Sequence, residues 1–284
     1  MSEAAAETPV DSDASRGLWR RESALLIVLA IAGAVTEYPL ALAIKSFELS
    51  ELVRLLPFMG VTLVLASLIP LALRLNQQLG LPGTPLIAAK IAGEKLHFSL
   101  RNLVKVSLGY ALLAAVAGAS VLVIVIVPIV LIQHGSARLP KPPMLTVAPG
   151  RIAIVGASVA IAAAVSEEIQ FRFVLYAILG WVAAIMSRDS RSYPRRGALW
   201  TVTIAQGYLF GLIHLAPVAG TLFHSTWQLL IGGLLMPQTW EGVVFGRLYL
   251  RRGLEASVIA HASMDVALFV LAAIGMSRSH IGAG

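Results

Sequence analysis

Long apolar segments constrain the fold of this chain more than any other feature of its sequence. Segments such as 152–187 and 254–276 exceed the roughly 20 apolar residues that a helix needs to cross the hydrocarbon core of a bilayer. Only 13% of the 284 residues are charged, whereas about 25% are charged in an average soluble domain. The alternating ten-residue pattern of membrane-barrel strands is absent from the sequence. The sequence therefore predicts an all-α, polytopic transmembrane helix bundle.

The apolar segments predict about seven spans. The fourth is too long for one simple crossing. It is either one helix that projects from the membrane or two pieces broken near Glu167, and two full crossings would give eight spans. The predicted spans are 23–44, 55–73, 106–132, 152–187, 198–216, 227–250 and 254–276. We expect residues 1–20, which are small and acidic, to be a disordered tail, and residues 277–284 to be a second tail.

A short helix is predicted between the second and third spans, in the stretch L-P-G-T-P-L-I-A-A-K-I-A-G. Thr84 is a suitable N-cap and Pro85 a suitable first helical residue. We expect this helix to lie in the membrane interface.

The distribution of basic residues predicts the orientation. With the N-terminus inside, most Lys and Arg residues fall on the cytoplasmic side, as the positive-inside rule requires. The net charge of +7 then reflects basic loops that meet lipid head groups, and we expect no nucleic-acid partner. We expect an integral protein of the plasma membrane, the inner membrane of a bacterium, with a cytoplasmic N-terminus.

Three ionisable residues stand inside the fourth apolar segment: Glu167, Glu168 and Arg172. Charges at this depth are costly and mark functional sites by default. Glu168 and Arg172 are four residues apart and share a helical face, so we expect them to pair. Glu167 is rotated about 140° from Arg172 and is a candidate base. The alternative is that all three form an ion pair that only packs helices together.

Two further spans contribute histidines. His261 and Asp265 are four residues apart on one face of the last span, and His214 ends the fifth. The alternative interpretations are that His261 is a buried histidine whose hydrogen bonds are satisfied, and that His214 is an interfacial residue near the end of its span. Together with the two adjacent glutamates, the histidines favour a site that activates water. A carboxylate can accept a proton from water, and an imidazole can hold or relay that proton. Two histidines and a carboxylate are also a zinc ligand set, although the H-E-x-x-H pattern is absent from the sequence.

Three short motifs, in their order along the chain, resemble those of the CAAX protease and bacteriocin-processing (CPBP) family, which is related to the type II CAAX prenyl proteases. The motifs are E-E-x-x-x-R (Glu167, Glu168, Arg172), F-x-x-x-H (Phe210, His214) and H-x-x-x-N/D (His261, Asp265). The resemblance covers roughly residues 150–275. It implies that residues 151–276 are the catalytic membrane helices, whereas residues 21–150, with three predicted spans and the interfacial helix, carry no recognisable motif of the family.

The resemblance implies an intramembrane endopeptidase in which Glu167 and His214 activate water while His261 and Asp265 form an oxyanion site, with Glu168 and Arg172 in support. One departure stands out: an Asn would donate a hydrogen bond, whereas an ionised Asp265 only accepts. Asp265 must therefore be protonated, orient His261 or bind a cation.

We expect no cofactor, with zinc held by Glu167, His214 and His261 as the alternative. The expected partners are the lipid bilayer and a membrane-associated protein or peptide substrate. The alternative function is a non-enzymatic membrane scaffold, a regulator or an ion-coupled transporter that uses the same buried charges.

Overall fold

Helices form almost the whole of the structure. The computed structural model describes residues 13–44, 60–96, 98–128, 148–187, 196–222 and 225–281. No strand occurs in these ranges, which confirms the predicted all-α class. In chain order the helices are α1 (Asp13–Ile44), α2 (Gly60–Ser67), α3 (Ile69–Gln78), α4 (Pro85–Ala92), α5 (Leu100–Val121), α6 (Pro149–Glu168), α7 (Tyr176–Met186), α8 (Arg196–Leu222), α9 (Thr226–Leu235), α10 (Pro237–Arg252) and α11 (Leu254–Ile281).

Four helical segments in the described ranges are long and apolar enough to cross a membrane. They are Leu100–Ile124, Pro149–Met186, Arg196–Leu215 and Leu254–Ser277. The pair formed by α2 and α3, bent by 47°, adds a fifth if it counts as one broken span. The described ranges therefore hold fewer such segments than the seven spans predicted. The first predicted span, 23–44, lies within α1.

The prediction of one continuous span at 227–250 is wrong. Met236 has an extended backbone (φ −70°, ψ 133°) and separates α9 from α10. The cause is local, because the ring of a proline disfavours the helical conformation in the residue before it, and Pro237 follows Met236. Neither α9, with 10 residues, nor α10, with 16 residues, has the length of a simple spanning helix.

The long fourth segment is one continuous helix rather than two pieces. α6 passes directly into a π-helical stretch, Ile169–Leu175, which leads into α7. The whole segment has 38 residues and is about 57 Å long at 1.5 Å per residue. It therefore exceeds the roughly 30 Å thickness of the hydrocarbon core, in agreement with the first of the two predicted alternatives.

Both predicted tails are partly helical. α1 begins at Asp13, so residues 13–20 are helical where we expected disorder. Residues 1–12 lie outside the described ranges. α11 continues to Ile281, beyond the predicted start of the C-terminal tail at residue 277.

The short helix predicted after Thr84 is present as α4, and Pro85 is its first residue. Thr84 does not cap it with its side chain. Its hydroxyl instead donates a hydrogen bond to the carboxylate of Glu22 in α1.

Small residues bring the helices that carry the ionisable groups into close contact. α6 packs between α1 and α11, and α8 packs along α10. A Cβ added at Gly207 in α8 would collide with Val243 in α10, and one added at Gly242 would meet the Cα of Gly207. Gly207 and Gly242 therefore let the two helices pack closely.

Gly156 in α6 faces the ring of Phe269 in α11 and leaves no room for a Cβ. We predict that Gly156→Ala lowers the free energy of unfolding by about 1–3 kcal/mol, because it overpacks the interface between these two helices. The melting temperature of the purified protein in detergent measures this. Gly275→Ala is the matched control, since among the described residues nothing outside its own stretch of helix lies within 4 Å of a Cβ at that position. Equal melting of the Gly156→Ala variant and the wild type would contradict the prediction.

Candidate active site

Three helices bring one glutamate and two histidines together. Glu167 ends α6, His214 lies in α8, and His261 lies in α11. Glu167 Oε1 is 3.8 Å from His214 Nε2, and Glu167 Oε2 is 3.8 Å from His261 Nε2. Each carboxylate oxygen thus faces one imidazole. The three groups that the sequence placed on separate spans form one cluster.

The cluster is partly exposed on one side. The side chain of His214 is 30% exposed and that of Asp265 24%, whereas those of Glu167 and His261 are 10% and 5% exposed. Asp265 Oδ2 lies 3.3 Å from His261 Nε2, one helical turn away. The exposed side of the cluster is therefore the side of His214 and Asp265, while the far side is closed.

Glu168 closes that far side. Its Oε1 lies 3.2 Å from the guanidinium of Arg172, so the ion pair predicted from their spacing is present. The same oxygen lies 2.9 Å from His261 Nδ1, a contact that the sequence did not indicate. Because an ionised carboxylate only accepts hydrogen bonds, Nδ1 of His261 carries the hydrogen. The Nε2 atom of His261 is then directed towards Glu167 and Asp265.

Arg172 is completely buried and sits among aromatic rings. Its guanidinium carbon lies 4.4 Å from the ring centroid of Phe210, 5.7 Å from that of Phe245 and 5.9 Å from that of Phe171. Among the described residues, its guanidinium nitrogens form no hydrogen bond of good geometry. The charge is therefore held by the carboxylate of Glu168 and by the faces of the rings.

The same aromatic residues fix the imidazoles. Phe210 meets the ring of His214 edge-on at 4.5 Å, and Phe245 stacks on His261 at 4.9 Å with an interplanar angle of 23°. His214 Nδ1 lies 2.9 Å from the backbone carbonyl oxygen of Phe210. A carbonyl oxygen can only accept, so Nδ1 of His214 is the donor, and the Nε2 atom of neutral His214 offers a lone pair to the side of Glu167.

Two further polar residues lie near the cluster. Glu241 in α10 interacts electrostatically with Asp265, His261 and Arg172. Gln206 in α8 donates a 2.7 Å hydrogen bond to the carbonyl oxygen of Gly242 and so ties α8 to α10.

Asn76 in α3 was missed altogether. It donates to the carbonyl oxygen of Phe173 at 3.3 Å and accepts from the hydroxyl of Tyr249 at 2.5 Å. It thereby connects the π-helical stretch with α10. In the sequence Asn76 is one of several polar residues after an apolar segment, and nothing distinguishes it there.

Glu167, His214 and His261 are the residues expected to hold a zinc ion in the alternative, metal-dependent site. In the ranges that the structure describes, no group of three His, Cys, Asp or Glu side chains is arranged to hold a metal ion.

Comparison with known proteins identifies the segment that carries the cluster. Residues 149–267 match the family model described as type II CAAX prenyl endopeptidase Rce1-like. This confirms the resemblance seen in the motifs, and all the candidate site residues lie within the matched segment. No curated protein and no solved structure matches the chain. The Rce1-like match and the apolar helices together indicate an integral membrane protein.

Glu168 is the counterion of the buried Arg172, which makes its removal costly. We predict that Glu168→Ala lowers the free energy of unfolding by about 3–5 kcal/mol, because Arg172 is left buried without its counterion. The double variant Glu168→Ala/Arg172→Leu should recover part of the loss, since no charge then remains unpaired. Thermal melting of the wild type and both variants tests this. A Glu168→Ala protein that melts like the wild type and is inactive would instead give Glu168 the role assigned to Glu167.

Proposed function

We propose that this chain is an intramembrane endopeptidase that hydrolyses peptide bonds of membrane-associated proteins or peptides, using water activated by Glu167 and His214. The observation that carries the proposal is the placement of the Glu167 carboxylate between two imidazoles at 3.8 Å. The Rce1-like match supports a CAAX-type intramembrane protease in general.

The first step follows from the hydrogen-bonding capacity of the cluster. Glu167 Oε1 and the lone pair of His214 Nε2 are two acceptors 3.8 Å apart, too far for a direct hydrogen bond but close enough for one water to donate to both. Glu167 takes a proton from this water as the water oxygen attacks the peptide carbonyl carbon. The proton then passes to the leaving amine, so that one water and one peptide bond yield a carboxyl group and an amine.

His261 is proposed to stabilise the tetrahedral oxyanion. Its Nδ1 is fixed by Glu168 at 2.9 Å, so a proton on Nε2 makes the ring an imidazolium that can donate to the oxyanion. Asp265 Oδ2 lies 3.3 Å from Nε2 and favours that proton. This geometry accounts for an Asp in place of an Asn, because Asp265 supports the donor on His261 and need not donate itself.

An apolar cleft beside His214 supports a membrane-associated substrate. The cleft has a volume of about 290 Å³ and lies between α2, the π-helical stretch and α8. Leu65, Phe171 and Ile213 line it, and Gln170 is its one polar lining residue in the described ranges. Ile213 directly precedes His214, so the cleft lies at the same level of α8 as the cluster.

The assignment of the base leads to a direct test. We predict that Glu167→Gln lowers the hydrolysis rate by about 10²–10⁴-fold, the usual contribution of a general base, with little loss of folded protein. The measurement is quantitative proteomics of membranes from cells that carry the wild type or the variant, followed by assay of the purified proteins on the peptides found. Glu94→Gln, the same change at an exposed position, is the control. A purified Glu167→Gln protein with substantial activity would remove Glu167 from the role of base.

The role of Asp265 has its own prediction. Asp265→Asn should retain activity, because the amide oxygen can still accept from His261 Nε2 and the amide N–H adds a donor.

We also propose that hydrolysis needs no metal, so chelators should not change the rate. The steady-state rates of both proteins with and without chelator test this. An inactive Asp265→Asn variant, together with a wild type that chelators silence and zinc restores, would contradict the metal-free mechanism.

A further inference from the structure

The loop before α4 docks on the junction between α10 and α11. The backbone N–H of Leu254 donates to the carbonyl oxygen of Gly83 at 2.8 Å. Gly253 has φ +87°, a conformation that favours glycine, and a Cβ there would collide with Pro85. The first turn of the helix that carries His261 thus rests directly on the N-terminal half of the chain.

Glu255, in that first turn, caps α4. Its Oε1 accepts hydrogen bonds from the backbone N–H groups of Leu86 at 2.9 Å and Ile87 at 2.8 Å. Pro85 has no N–H, so these are the first two donors of α4, which have no partner inside their own helix. Thr84, the residue placed to cap them, bonds Glu22 instead. A carboxylate from α11 therefore does the capping that the sequence of α4 does not supply.

This contact restrains α11 in two directions. A carboxylate that accepts two N–H bonds at the positive end of a helix forms charge-assisted bonds, which are among the stronger ones. Glu255 precedes His261 by six residues, about 9 Å along the axis and about 120° around it. Sliding or rotation of α11 would break the cap, and the same movements would displace His261 from Glu168.

We propose that Glu255 is a positioning residue: by capping α4 it fixes α11 so that His261 and Asp265 face Glu167. The inference rests on the proposed peptidase function for its catalytic meaning. It gives the loop and helix at residues 81–92, which lie outside the Rce1-like segment, a part in holding the site.

The kinetic test compares Glu255→Ala, Glu255→Gln and Thr84→Val. Glu255→Ala should lower kcat by about 10- to 100-fold, because small displacements of catalytic groups have effects of this size, with KM within about twofold of the wild type. Glu255→Gln keeps an acceptor oxygen and should lose less. Thr84→Val is the matched control, because it removes the hydrogen bond between Thr84 and Glu22 but leaves the Glu255 cap in place. This variant should keep the kcat of the wild type. Equal kcat for Glu255→Ala and the wild type would overturn the proposal.

A second readout does not depend on activity. The chain has no cysteine, so spin labels on Met186→Cys and Leu271→Cys, at side chains that are 76% and 63% exposed, report the distance between α7 and α11. Glu255→Ala should shift or broaden the distance distribution, and Thr84→Val should leave it unchanged. A wild-type distribution in the Glu255→Ala protein would overturn the proposal. If the wild type cleaves no substrate, the proposed function fails, and the spin-label distances alone decide whether Glu255 holds α11.

Discussion

The buried carboxylate of Glu168 is the interaction on which the arrangement of the site depends. Removing an ion from water costs several kcal/mol unless partners replace the lost solvation. Glu168 offsets part of this cost through Oε1, which lies 3.2 Å from the guanidinium of Arg172 and 2.9 Å from His261 Nδ1. The first contact lies within one continuous helix and the second joins α6 to α11. The electrostatic need of one buried charge therefore fixes the relative position of the two helices that carry Glu167 and His261.

The change from α- to π-helix directly after Glu168 serves the same arrangement. π-helical turns are rare and occur frequently at functional sites. Here the stretch Ile169–Leu175 carries Arg172, and the carbonyl oxygen of Phe173 within it accepts from Asn76. Asn76 in turn accepts from Tyr249 of α10. The side-chain amide of Asn76 on α3 thus holds the π-helical stretch against α10. This contact helps to keep the guanidinium of Arg172 over the ring of Phe210.

The features that the sequence predicted correctly are local ones. Apolar length gave the helical class, and a spacing of four residues placed Glu168 beside Arg172 and His261 beside Asp265, because residues on adjacent turns must meet. The features that it did not predict join distant parts of the chain. The bond between Glu168 and His261 spans 93 positions, and neither Asn76 nor the stacking of Phe245 has a local signature. The break at Met236 did have one, since Pro237 follows it, but the continuous apolar pattern around it favoured a single span.

The N-terminal half of the chain, although outside the Rce1-like segment, also shapes the electrostatics of the site. α5 packs on both α10 and α11, and at Gly118 the carboxylate of Glu241 lies where a Cβ would be. A side chain at this position would drive Glu241 away from α5. Glu241 interacts electrostatically with both Asp265 and His261. Its displacement would therefore change its repulsion of Asp265 and its attraction to His261. The absence of a side chain on α5 thus helps to set the charge balance around the proposed oxyanion donor.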